Sequence, residues 1–217
     1  MRIAIFLYPG MTALDAIGPY EVLSQIPDAE IAFTALERGP VRVDSGFLSL
    51  VADHAIDEID TADILVVPGG PDVRDQCGDA RVLDWICKIH ATTQWTTSVC
   101  TGALILGAAG LLDGLAATSH WLARDELAGF GARPTRARVI EAGKIITAAG
   151  VSAGIDMALT LAARLIGEMQ AKGIQLLIEY DPQPPFDAGS PETAPKRVVE
   201  TLRMTFAARL AAAGEKT

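Results

Sequence analysis

The stretch Trp95-Thr96-Thr97-Ser98-Val99-Cys100-Thr101-Gly102-Ala103-Leu104 decides what this chain becomes. A short β-branched run passes directly into helix-forming residues, with one cysteine at the junction. Ser98 and Gly102 stand two positions to either side of Cys100. A strand that turns abruptly into a helix needs small neighbours, because its apical residue takes a strained backbone and lifts its side chain clear of the sheet. This is the pattern of a nucleophile elbow. A cysteine placed there sits at a helix N-terminus, where unpaired amides and the helix dipole favour thiolate and lower the thiol pKa. Cys77 and Cys87 have no such setting and read as structural thiols, a common fate of free cysteine.

Outward from the elbow, short apolar runs alternate with longer Ala/Leu-rich segments. Ile3–Tyr8, Ile31–Leu36, Ile64–Val67, Trp95–Val99 and Lys144–Ala148 are brief, apolar and closed by Gly, Pro or polar residues, so they are predicted strands. Asp15–Gln25, Asp79–Thr92, Thr101–Leu112, His120–Ala128 and Gly154–Ile166 are long enough for helices. Strands apolar on both faces and separated by helices imply an α/β sandwich, a mostly parallel sheet covered on both sides. Val41–Val43 and Phe47–Leu50 flank Asp44-Ser45-Gly46 and read as a hairpin appended to that sheet.

No repeat and no Gly/Ser linker divides the chain, so residues 1–217 are expected to form a single domain. Residues 181–195, DPQPPFDAGSPETAP, carry five prolines and must be extended or looped. Such a strap lies either over a groove or partner subunit, or in solvent as a loop. Residues 196–212 then read as an amphipathic helix that stops at Gly214.

The 18 Lys and Arg face 27 Asp and Glu, a net charge of −9 that repels phosphate backbones. The densest basic group, Arg133, Arg136 and Arg138, is too small to reverse that, so nucleic acid is not an expected partner. No apolar run approaches the roughly 18–20 residues of a membrane span, and the opening apolar stretch stops at Pro9-Gly10, too short for a signal peptide. Three cysteines without secretory context point to free thiols in a reducing cytoplasm. They show no metal-ligand spacing with the three histidines, and no phosphate loop occurs, so no metal or cofactor is expected.

Two further segments bear on chemistry. Ile64-Leu65-Val66-Val67-Pro68-Gly69-Gly70 is an apolar strand ending in a double glycine, whose amides can face a developing negative charge without a Cβ in the way. In Tyr8-Pro9-Gly10-Met11-Thr12-Ala13-Leu14-Asp15, a loop delivers an acid to the start of the first helix. From spacing alone, Asp15 is best explained as a first-turn aspartate offsetting the helix dipole.

Taken with ATSHW at 117–121, GVSAGIDMAL from Gly150 and IQLLIEYDPQPPFDAGSP from Ile174, these segments carry a resemblance from Met1 to about Arg203. The chain resembles the ThiJ/PfpI superfamily, and within it the isocyanide hydratases; SVCTG together with the YDPQPPFDAGSP strap is the specific part. The resemblance implies a flavodoxin-like sandwich and a homodimer. It implies Cys100 as nucleophile, Asp15 as the acidic partner beside its sulfur, and Thr101 with its hydroxyl on the site. It makes Gly69 and Gly70 the backbone oxyanion site and puts Val151 in the pocket lining. Protease-like and glyoxalase-like relatives carry histidine immediately after the nucleophile; here Thr101 stands there, and the Cys-His pairing is missing from its expected place. His120 reads as a helix start with a structural hydrogen bond.

For hydration of an isocyanide R–N≡C to an N-formamide, the terminal carbon must receive a nucleophile and a proton. The expected scheme has Cys100 attack that carbon while Asp15 donates a proton, giving a thioimidate, after which ionised Asp15 activates water. The alternatives are glyoxalase or deglycase chemistry on small carbonyls, and a thiol-based stress sensor without turnover.

Overall fold

The computed structural model of the protein describes residues 1–214. Residues Met1–Glu179 form one compact unit, and those from Tyr180 onward a second.

The first unit is built on a seven-stranded sheet. Its strands are β1 (Arg2–Phe6), β2 (Glu30–Ala35), β5 (His54–Ala55), β6 (Ile64–Val67), β7 (Trp95–Val99), β10 (Val139–Ala142) and β11 (Ile145–Ala148), with β3 (Gly39–Arg42), β4 (Ser49–Ala52), β8 (Ala116–Ala117) and β9 (Arg133–Pro134) in two small side sheets. The order across the main sheet is β10-β11-β7-β6-β1-β2-β5. All its pairs are parallel except β10 with β11. Ile3–Phe6 and Ile64–Val67 are fully buried on both faces. Burying each such Ile, Val or Leu side chain contributes about 1.5–3 kcal/mol, which is why continuous apolar runs settle in the centre of a covered sheet. Helices α1 (Ala13–Leu23), α2 (Val73–Gly78), α3 (Ala80–Thr92), α4 (Gly102–Ala108), α5 (Ala153–Ile166) and α6 (Glu168–Leu177) complete this unit.

The five predicted strands are present within one or two residues. From β1 the chain passes outward to β2 and later returns to β6 on the other side of β1, so the direction of winding reverses between β1 and β6. In doubly wound sheets that crevice, at the carboxyl ends of the strands, is where ligands bind.

Three local expectations are corrected. His120–Ala128 is not an α-helix: a turn after His120 leads into a 3₁₀ segment, Arg124–Phe130. Gly131 ends the segment by turning the chain at φ +76°, and before the turn Ser119 Oγ donates to the Cys100 carbonyl at 2.9 Å. The hairpin forms, but it is not bonded to the main sheet: β3 and β4 pair antiparallel only with each other. It is tied instead to the β1–α1 loop, through Gly10 N–H to Arg42 O and Asp44 N–H to Met11 O, both 2.9 Å. Helix α4 ends at Ala108 rather than Leu112, where turns at Gly110 (φ +75°) and Gly114 (φ +70°) take over.

In the second unit, residues 181–195 hold no helix or strand, as five fixed proline φ angles dictate. Helix α7 (Lys196–Gly214) follows. Among the described residues, no helix is long and apolar enough to cross a membrane.

Candidate active site

Cys100 follows the last residue of β7 and has φ +59°, a left-handed conformation that costs a non-glycine residue of order 1–3 kcal/mol. The strain is held by backbone: Cys100 N–H donates to Ala149 O at 2.8 Å and to Ala148 O at 3.1 Å, while Ser119 Oγ holds its carbonyl. Gly102 must be glycine, because a Cβ there would strike the carbonyls of Val67 and Pro68. The two strand ends thereby press together, and the cysteine is buried at their contact.

Asp15 lies in the first turn of α1 and is fully buried. Its Oδ2 accepts the N–H of Gly69 at 2.9 Å, whereas Oδ1 has no partner at ordinary hydrogen-bond geometry. The Cys100 thiol is the other group that acts on this carboxyl. Burial raises its pKa to about 7, against the opposing pull of the Gly69 amide and the thiol, and Asp44 adds a further upward push. A first-turn aspartate that merely offset a helix dipole would face water; this one does not.

The thiol departs from expectation. Burial, and then the Asp15 carboxyl, push Cys100 well above the ordinary thiol range, while the amides of Thr101 and Val151 and the Thr101 hydroxyl pull the other way. The helix N-terminus is present, but α4 is short and largely buried, and loss of water outweighs its dipole.

The two glycines also serve a purpose other than the expected one. Gly69 N–H is committed to Asp15, and Gly70 N–H donates to Thr101 Oγ1 at 2.8 Å while that hydroxyl donates back to Gly70 O at 2.8 Å. Neither amide is free for an oxyanion. Together they cradle the acid and the residue after Cys100, and a Cβ on Gly69 would lie 2.6 Å from Thr101 Oγ1. The amides on the sulfur are those of Thr101 and Val151, so Val151 meets the site through its backbone.

His120 comes near the elbow without joining it. Its ring packs on Gly150, where a Cβ would lie 2.9 Å from Cδ2, and its Nδ1 accepts the N–H of Leu122 at 3.3 Å. Cys77 is half-buried and pushed up to about 11 by burial; Cys87 is exposed and its thiol donates to Ala109 O at 3.4 Å. Three residues not singled out from sequence belong to this neighbourhood. Tyr8 is buried with its hydroxyl on Pro68 O at 3.3 Å, Ser119 braces the elbow, and Asp44 accepts the Thr12 hydroxyl at 2.8 Å beside the acid. All three sit in or beside quoted segments, but nothing local to those segments showed that their polar atoms would meet the elbow or the acid.

With that geometry in place, the sequence matches the DJ-1/PfpI family over residues 1–164. The chain belongs to the DJ-1/PfpI family. Within it, the chain is 42% identical to isonitrile hydratase of Pseudomonas putida over 210 residues, 97% of this chain and 92% of that protein. It is also 43% identical to a ThiJ/PfpI family protein from Pseudomonas syringae, with a TM-score of 0.92 over 95% of this chain and 86% of that one. Oxidised Toxoplasma gondii DJ-1 shares the fold, with a TM-score of 0.73 at 24% identity over 83% of this chain and 99% of that one.

Proposed function

We propose that this protein is an isocyanide hydratase, a lyase that converts R–N≡C to R–NH–CHO with Cys100 as nucleophile and Asp15 as proton carrier. The observation that carries the proposal is the 42% identity to isonitrile hydratase over 97% of the chain. The Cys100–Asp15 geometry supplies the means.

The pair works with one proton between them. With Asp15 ionised and the thiol protonated, the carboxylate takes the S–H proton as sulfur bonds to the terminal carbon, and delivers it to that same carbon. The S–H bond breaks, S–C and C–H bonds form, and a thioimidate R–N=CH–S results. Asp15, again a carboxylate, takes a proton from a water as its oxygen adds to the thioimidate carbon and passes that proton to nitrogen; it then relays the remaining hydroxyl proton to sulfur as the C–S bond breaks. Collapse expels the thiol and leaves the formamide, so water alone is consumed. No oxygen carries negative charge until water has added, so the first step needs no oxyanion hole. That agrees with the committed amides of Gly69 and Gly70. Thr101 and Val151 offer their amides to the sulfur, stabilising the thiolate character that develops as the proton leaves. Thr101 sits where a histidine would stand for carbonyl chemistry, and His120 has its Nδ1 on a backbone amide.

We assign the protein to the cytoplasm, where Cys77, Cys87 and Cys100 stay as free thiols, and it works as a homodimer. Light scattering at micromolar concentration tests the dimer; a strict monomer overturns it. Formamide production from an aryl isocyanide tests the activity, with Cys100→Ala in parallel. Turnover absent from the wild type defeats the proposal, and turnover surviving in the variant defeats the role of Cys100.

A further inference from the structure

The Pro68–Gly69 peptide is bonded at both ends inside the site. Its carbonyl accepts the Tyr8 hydroxyl at 3.3 Å, and its N–H donates to Asp15 Oδ2 at 2.9 Å. Tyr8 is 1% exposed, and its ring packs against Phe6 with centroids 5.6 Å apart. A tyrosine this deep normally spends its hydroxyl on a close partner. Here the partner is one carbonyl at a long distance, on the one peptide that also holds the acid.

We propose that Tyr8 is a positioning residue that acts on Asp15 through the Pro68–Gly69 peptide. A trans peptide is planar, with C=O and N–H pointing oppositely, so fixing the carbonyl aims the amide. A hydrogen bond to the carbonyl also polarises the whole amide and strengthens donation from its N–H, by about 10–30% per bond. Tyr8 therefore both points Gly69 N–H at Oδ2 and sharpens its hold. This inference rests on the reading of Cys100 and Asp15 as the reacting pair.

The surroundings keep the phenol a donor. It faces Asp15 from α1, Cys100 from the elbow, Cys77 from α2 and Asp72 from the loop before it, and burial with these acidic neighbours holds Tyr8 neutral. Asp15 itself faces the Cys100 thiol from the elbow, Asp44 from the hairpin loop and Tyr8 from the end of β1. Of these contacts only the Gly69 amide and the thiol favour its ionised form. A weaker Gly69 hydrogen bond thus lets the carboxyl keep its proton to higher pH.

Tyr8→Phe keeps the ring and removes the donor. The test follows the protonated carboxyl stretch of Asp15 by infrared titration, assigned by its loss in Asp15→Asn, together with the pH dependence of kcat on an aryl isocyanide. In Tyr8→Phe the midpoint should move up by about 0.2–0.5 pH unit and kcat near pH 7 should fall about 1.3- to twofold. Replacing Tyr8 by 3-fluorotyrosine, a stronger donor, should move the midpoint the other way. A merely structural role would change thermal stability and leave both midpoints where they were; unchanged midpoints overturn the proposal. If the wild type turned over no isocyanide yet the infrared midpoints still moved in opposite directions, the relay would stand and the hydratase assignment would fall.

Discussion

Strand β7 has polar residues at both ends, and the two ends are finished in opposite ways. At its start, Thr96 Oγ1 is shared with Thr93 Oγ1 and His90 Nδ1, each at 2.8 Å. Lys144 Nζ donates to the carbonyls of Thr93, at 3.1 Å, and of His90, which closes the last turn of α3 with a cation. At its other end, Cys100 is held at positive φ, and Oδ1 of the buried Asp15 and Oγ of the buried Ser98 lack partners. An end that only terminates a strand has its hydrogen bonds completed. The end proposed to perform chemistry keeps strain and unmet polarity, which the rest of the sheet must hold in place.

The largest expected effect breaks that contrast at its source. Cys100→Ala should lower formamide production by at least about 10⁴-fold, since removing a nucleophile abolishes the covalent route. The same change relieves the unfavourable φ little, so the fold should persist in circular dichroism. Activity within tenfold of wild type would mean that the strained end of β7 is not the reacting end.

Next comes Asp15→Asn, where activity and stability should move in opposite directions. The amide side chain still accepts the Gly69 N–H but cannot carry a proton between sulfur and carbon, so kcat should fall about 10²–10⁴-fold. For stability, the folded carboxyl titrates at about 7, against roughly 3.9 in an unfolded chain. Below pH 4 both states are protonated and the acid costs nothing extra. As pH rises from 4 to 7 the unfolded chain releases its proton while the folded protein retains it, so wild-type stability declines and stays lower above 7. A neutral amide carries no such penalty. The variant should melt close to wild type at pH 4 and several degrees above it at pH 8. Equal melting temperatures at pH 8 would show that the acid is not desolvated at this end of the sheet.

A third expectation concerns the shared proton. On the proposed scheme the pair is competent with one proton and idle with two, so kcat/KM should rise about tenfold per pH unit below about 7 and level off above it. An activity that instead declined above 7 would mean that the carboxyl must enter the reaction protonated.

How much of this was legible beforehand follows the same division between ends. The central strands announce themselves because burial on both faces demands unbroken apolar runs such as Ile64–Val67. The elbow was legible because its steric needs are local: Ser98, Cys100 and Gly102 must be small, reactive and small. The acid's role was legible only through the family resemblance and not from spacing, since Asp15 becomes special only when Gly69, 54 residues away, reaches over it. The expected thiolate failed for a related reason. Helix position is local and visible in sequence, whereas desolvation by other segments is not, and desolvation won. Gly69 and Gly70 were found as a tight strand end, but only the folded chain shows that their amides are already spent.

The smallest effect tests the quiet end. Thr96 is fully buried, and Thr96→Val keeps its shape while leaving His90 Nδ1 and one side of Thr93 Oγ1 without their partner. Thr93 Oγ1 retains the His90 carbonyl at 3.0 Å, so the loss is partial. The cost should be about 1–2 kcal/mol, or roughly 2–8 °C in Tm for a chain of this size. Because the lesion sits at the opposite end of β7 from the sulfur, kcat should stay within about twofold of wild type. Denaturation and turnover measured on the same sample separate the two quantities. A large fall in kcat with little loss of stability would show that the finished end of the strand also controls the strained one, through the register that β7 shares with β6 and β11.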